Sequence, residues 1–220
     1  MRIAGHWAMH YWTGPRSAAA QSQLGRDQLR RLLAGTVEGA SFEALTIRPE
    51  VGRSGRRPWA VGIGGRVLRR YLSVAHLRTA LVVGVAERRI GVDLVDLDQS
   101  LSRGFAAQWF TMDEREMLDS LPIHLGWAAK EAAYKALCRR QPFRPGRLAI
   151  ESVGAKAVGD CGLSMEVRER HCGGRRPHRA SVVFQFAGAF AVALATQQAP
   201  ATSADAPATG CQCDRWIRHR

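Results

Sequence analysis

A chain of 220 residues with 46% hydrophobic content is long and apolar enough for one large or two small packed domains, which excludes a disordered protein. The formal charge of +13, from 32 Lys and Arg against 19 Asp and Glu, raises nucleic acid as a partner. Its distribution speaks against a uniform phosphate-binding surface, because residues 1–90 carry 15 Arg and 5 acids whereas 93–119 carry Asp93, Asp96, Asp98, Asp113, Glu114, Glu116 and Asp119 against only Arg103 and Arg115.

In chain order, the opening MRIAGHWAMHYW is too polar and aromatic for the apolar core of a secretory signal, and no run approaches the ~18 apolar residues of a membrane span. A soluble, cytoplasmic protein is expected. Residues 23–34 set Leu24, Leu29, Leu32 and Leu33 near one face, with Arg26, Arg30 and Arg31 largely elsewhere; this predicts an amphipathic helix that Gly35 ends. Strands are predicted at 45–48, 59–63, 80–85 and 90–94, where Val, Ile and Leu are bounded by Gly, Pro and Arg. From 101 to 140 the pattern is helical, with Thr111 and Glu114 spaced as a capping box and Pro122 breaking the chain before a helix over 127–137. Strand character returns at 148–153, 163–167, 180–186 and 190–195. The fold class is therefore α+β, with subdomains 1–88 and 89–196 of similar construction and a flexible Ala/Pro/Thr/Ser tail over 197–220. Cys138, Cys161, Cys172, Cys211 and Cys213 are odd in number and lack CxxC pairs, so neither a disulfide framework nor a structural zinc site is expected.

The chemistry concentrates in Trp127-Ala-Ala-Lys130-Glu131-Ala-Ala-Tyr134-Lys135. Only Lys130, Lys135 and Lys156 are lysines in a chain that otherwise uses arginine, and a compact ammonium serves as a point charge for phosphate or as a proton donor. Helical spacing puts Trp127, Glu131 and Lys135 on one face, with Lys130 and Tyr134 at its flank. Taken alone, this reads better as a solvated i,i+4 ion pair. Asp93 changes the balance: it interrupts an apolar strand after Gly91, and a buried aspartate requires a partner or a metal. Strand alternation turns it away from Val92 and Leu94, where it can share a hard cation such as Mg2+ with Glu131. Asp113, Glu116 and Asp119 read as solvated helix-face acids.

The order Gly91-Val92-Asp93, Phe110-Thr111-Met112-Asp113-Glu114 and Trp127 to Lys135 resembles the signature of the 4′-phosphopantetheinyl transferase superfamily. Upstream, Arg56-Arg57-Pro58 resembles the Gly-Lys/Arg-Pro element of its longer, surfactin-synthetase-associated type, and Tyr71 to His76 resembles the Phe-Asn-x-Ser-His segment, so the similarity spans 24–195. The resemblance implies two similar α+β subdomains packed as a pseudo-dimer within one chain. It implies Asp93 and Glu131 as ligands of Mg2+ on the coenzyme A diphosphate, with Lys130 and Lys135 on phosphate oxygens. Arg57, His76 and Arg30 would hold the adenosine end and its 3′-phosphate, and Glu114 matches the motif glutamate.

The sequence departs from the pattern at Val95, where the longer type carries a metal-binding glutamate. Asp93-Leu94-Val95-Asp96 resembles instead the Asp-Ile-Val-Glu of the short holo-acyl-carrier-protein synthase type, so Asp96 or water is expected to complete the coordination. Ser73 and Ala75 also replace the usual Asn and Ser. The implied reaction is attack of a carrier-protein serine on the β-phosphate of coenzyme A, with Glu131 as proton acceptor and Lys135 on the departing phosphate. The implied partners are coenzyme A and an acidic apo acyl or peptidyl carrier protein of polyketide or non-ribosomal peptide synthesis, with no nucleic acid, no membrane and a monomeric state. The alternatives are a carrier-binding homologue with impaired catalysis and a basic nucleic-acid-binding module using the Arg clusters at 53–57, 66–70 and 175–179.

Overall fold

The computed structural model describes residues 5–12, 16–37, 41–52, 55–62, 68, 70–137, 142–155, 162–170 and 177–198. The elements in order are β1 (Gly5–Tyr11), α1 (Ala18–Thr36), β2 (Thr46–Gly52), β3 (Gly55–Val61), β4 (Tyr71–His76), β5 (Ala80–Ala86) and β6 (Ile90–Asp96). There follow α2 (Phe105–Trp109), α3 (Met112–Met117), α4 (Ile123–Leu137), β7 (Leu148–Ala155), β8 (Leu163–Glu169), β9 (Arg179–Ala187) and β10 (Phe190–Gln197). They build a three-stranded sheet β1-β5-β4, a five-stranded sheet β6-β10-β9-β8-β7 and a two-stranded β2-β3 pair. Within each sheet the neighbouring strands run antiparallel.

Alternation along the strands explains the layering. On β5, Leu81, Val83 and Val85 join Leu29 and Leu33 of α1 in one core, whereas Ala80, Val82 and Ala86 join Ile90, Val92 and Leu94 of β6 in a second. Both faces of β5 are thus covered, which is why the strand is apolar at every position. The other face of β6 joins a third core with α4, where Val95 packs with Ala128, Ala129, Ala132, Ala133 and Ala136, and with Ala191, Ala193 and Ala195 of β10. The layers therefore run α1, three-stranded sheet, five-stranded sheet, α4. Small residues on α4 and β10 let the helix lie close on the sheet.

Several sequence expectations shift in detail. α1 begins at Ala18 behind the Ser17 cap, whose hydroxyl accepts from the Ala20 N–H at 3.2 Å, and it runs through Gly35 to Thr36. β1, which the sequence reading left without an element, pairs with β5 from Gly5↔Ala86 to Tyr11↔Ala80. The helix expected from 101 is reduced to the single turn of α2, because Gly104 at its N-cap takes a left-handed φ of 87°. Thr111 and Glu114 do form the capping box of α3. The predicted tail lies outside the described residues from 199 onward. Among the described residues no helix is long and apolar enough to cross a membrane.

Candidate active site

Gly91 decides how closely α4 approaches β6. A Cβ at this position would lie 1.9 Å from the Ala132 carbonyl oxygen and 2.8 Å from the Ala136 nitrogen, so only glycine admits the helix backbone here. That approach brings Lys135 over the strand. Its ammonium donates to the Val92 carbonyl at 2.9 Å and to Asp93 Oδ1 at 2.8 Å, and lies 3.4 Å from Glu131 Oε1. On its other side Val92 donates its N–H to the Ser73 hydroxyl at 3.0 Å, which ties β6 to β4.

Two carboxylates thus converge on one cation. Asp93 is nearly buried, with 7% of its side chain exposed, while Glu131 is 31% exposed at the cleft surface. Burial pushes the Asp93 carboxyl from 3.8 up to about 7; Lys135 pulls it down and Glu131 pushes it further up. Burial alone would lower Lys135, but Asp93 and Glu131 hold its ammonium above the usual 10.5.

Asp93, Val95, Trp127 and Glu131 line a cleft of ≈280 Å³ whose opposite wall is His76 and Leu77, with Gln99, Leu101, Phe105 and His124 closing it. Trp127 is held by ring contacts with Phe105 at 5.2 Å, Phe143 at 5.4 Å and Trp109 at 5.8 Å. His124 donates Nε2–H to the Gln99 carbonyl at 2.7 Å, leaving Nδ1 without a partner among the described residues. The sequence reading missed Gln99, Leu101, Phe105 and His124. For His124 a signal existed, since it precedes Glu131 by seven residues and so shares its helix face.

Of the residues singled out in the sequence, the fold brings Asp93, Glu131 and His76 to this cleft, with the Lys135 ammonium against the two carboxylates behind its wall. Lys130 goes elsewhere. Only 1% exposed, it donates to Glu114 Oε2 at 2.9 Å and to the Trp109 carbonyl at 3.0 Å, and lies 4.5 Å from the Phe110 ring centroid. It faces the interior rather than a phosphate because it sits about 100° around the helix from Glu131. Burial pulls its ammonium below the usual value, only partly offset by Glu114.

Glu114 is equally buried and joins three elements. It accepts from the Thr111 N–H at 2.8 Å, from Lys130 and from the Ile150 N–H of β7 at 2.9 Å, and has Arg170 at 3.4 Å. Burial would raise its pKa, but these donors together hold it below the usual 4.5.

Arg30 is also committed away from the cleft. Its guanidinium donates to the Phe42 carbonyl at 2.7 and 3.1 Å, stacks 3.9 Å from the Phe42 ring centroid and lies 3.6 Å from Asp27. Asp96 is excluded by the strand period, since three residues from Asp93 is an odd offset and turns it to the opposite face. There it accepts from the Asp98 N–H at 3.0 Å. Val95 occupies the position on Asp93's own face. Arg57 belongs to β3, and its side chain lies outside the described residues.

Among the described residues no three or more His, Cys, Asp or Glu form a metal-binding group. The candidate donors are the two carboxylates Asp93 and Glu131. That set fits a hard, reluctantly dehydrated cation held by one or two carboxylates together with water and substrate phosphates. The fit rests on geometry, because the shared Lys135 ammonium shows that both carboxylates reach a common point.

The family model described as 4′-phosphopantetheinyl transferase superfamily matches residues 89–195, from the approach to β6 through β10. No curated protein sequence matches the chain. Residues 89–195 are thus a domain of that superfamily, and the chain is an enzyme of the transferase class.

Proposed function

We propose, from this superfamily domain as the premise, that the chain transfers 4′-phosphopantetheine from coenzyme A to a serine of an apo acyl or peptidyl carrier protein, with Mg2+ held by Asp93 and Glu131. What carries the reading is that Asp93 and Glu131, which line a cleft built largely within the matched segment, converge on the Lys135 ammonium. Mg2+, when bound, supplies charge that offsets the diphosphate of coenzyme A. Lys135 adds a compact positive charge beside the departing phosphate. His76, on the opposite wall, and Arg57, on β3, are assigned to the adenosine end, for whose phosphate arginine's fork is suited. Glu131 is the carboxylate at the cleft surface and is assigned to receive the serine proton. Trp127, packed against Phe105 and Phe143, supplies an apolar side to the cleft.

The helix-sheet-sheet-helix layering supports reading the two halves as a pseudo-dimer of the longer type. The excess of arginine supports steering of an acidic carrier protein, with rates that fall as salt rises. The proposed setting is that of a monomeric, cytoplasmic enzyme of secondary metabolism. Incubation with coenzyme A, Mg2+ and apo carrier proteins should add about 340 Da to the carrier, read by mass spectrometry. Glu131→Ala should abolish the addition; transfer near the wild-type rate in that variant would remove the site assignment. A carrier-binding homologue with impaired catalysis is the second reading, favoured by Val95, which is 8% exposed where a third carboxylate is expected. It predicts carrier binding with no mass gain.

A further inference from the structure

The Lys135 ammonium has three donors, and all three have acceptors on the protein: Asp93 Oδ1 at 2.8 Å, the Val92 carbonyl at 2.9 Å and Glu131 Oε1 at 3.4 Å. It therefore stands where a cation shared by Asp93 and Glu131 would stand. We propose that Lys135 is an internal counter-cation of this site, which a divalent metal must displace from Asp93 and Glu131 before both carboxylates can bind it. This rests on the reading of those two carboxylates as the metal ligands.

The physical reasons are geometric and electrostatic. Asp93 Oδ1 is already engaged, and a divalent ion within a few ångströms of an ammonium in a partly dry cleft is strongly repelled. The lysine can leave, because its side chain is 21% exposed on a flexible stem at the last turn of α4. Lys130 cannot, since it is enclosed between Glu114, the Trp109 carbonyl and Phe110. The displaced ammonium needs a new acceptor, and a substrate diphosphate at the cleft offers one. Metal and diphosphate should then strengthen each other's binding, as coupling between sites requires. Metal alone should bind weakly.

Removing the ammonium should accordingly make the metal-only site tighter. Lys135→Met should raise the affinity for Mn2+ without coenzyme A by about tenfold, inside the roughly 5–150-fold range of site-to-site coupling. Mg2+ should also raise the melting temperature of the variant more than that of the wild type. The wild-type protein offers a test that does not depend on the variant folding. Because the chain has only three lysines, 15N-lysine labelling gives a spectrum of few side-chain signals. Adding Mg2+ without coenzyme A should move the Lys135 Nζ signal and leave that of Lys130 in place.

An unmoved Lys135 signal at saturating Mg2+, or equal Mn2+ affinity in both proteins, overturns the inference while leaving the metal ligands intact. No Mn2+ binding to either protein overturns the inference and the metal assignment together. The transferase reading is judged separately, by the mass gain on a carrier protein.

Discussion

Helix α4 carries two lysines five residues apart, and each is paired with a carboxylate from another element. Their surroundings differ in one decisive respect. Lys130 and Glu114 are each 1% exposed and saturated by backbone groups of residues 109, 111 and 150, so the pair is closed. Lys135 is partly open, and its single ammonium serves two carboxylates, one of them pushed up toward neutrality by burial. A closed pair fixes the position of a helix, whereas an open one with excess negative charge can exchange its cation. The same residue type five positions apart thus does structural work in one place and is available for chemistry in the other.

The comparison is broken most directly at Lys130. Lys130→Met leaves Glu114 charged and buried, and breaking such a pair costs about 3–5 kcal/mol. The lower end is expected here, because Glu114 keeps the Thr111 and Ile150 N–H groups and Arg170. Urea unfolding measures it, and adding Glu114→Gln to Lys130→Met should recover part of the loss. A loss below about 1 kcal/mol, the level of exposed ion pairs, would show that water reaches the pair.

The same pair sets an acid limit. Glu114 has a folded pKa below its unfolded 4.5, so it contributes stability that is fully present above pH 4.5 and is lost as pH falls through the folded value. Denaturant midpoints of the wild type should therefore fall below pH 4.5 more steeply than those of Glu114→Gln. Parallel curves would mean that Glu114 contributes nothing to the acid transition.

How far this contrast was readable in the sequence depends on which neighbours each residue needed. The capping box at Thr111 and Glu114 is a local pattern and was legible. So was the amphipathic stripe of α1. Helical spacing separated Lys130 from Glu131 by about 100°, but it could not say that Glu114 would lie on the Lys130 side, because that contact joins positions 16 apart through packing. Asp96 was a different kind of miss. Its odd offset from Asp93 already placed it on the other strand face, and the motif likeness overrode the period. Arg30 was assigned to the adenosine by the motif likeness, whereas Phe42, outside the amphipathic stripe, supplies both its acceptor and its ring. β1 was not legible because its signal is pairing with β5, a partner about 75 residues later, rather than a clean alternation.

Gly91 tests what places Lys135 rather than what it binds. Gly91→Ala forces a methyl group into the Ala132 carbonyl, so α4 must lift from β6, a change of the overpacking kind that costs about 1–3 kcal/mol. The effect should be unequal along the helix. The Lys135 side-chain NMR signal should shift, since its partner Val92 adjoins Gly91, while that of Lys130, anchored to Glu114 and Trp109, should move less. Equal displacement of both would mean that α4 moves as a rigid rod and that the two pairs are not independent.

Arg30→Ala should have the smallest consequence, and it separates fold from ligand binding most cleanly. The guanidinium's hydrogen bonds and stacking all go to Phe42, so its removal should cost about 1 kcal/mol of stability. Coenzyme A affinity, measured by calorimetry, should stay within about twofold, because a residue outside the cleft makes no interaction whose loss reaches the roughly 1.4 kcal/mol of a tenfold change. A tenfold loss would mean that Arg30 leaves Phe42 when the ligand binds. Arg30 would then belong with Lys135, as a cation held by the protein until a phosphate replaces its partner, and not with Lys130.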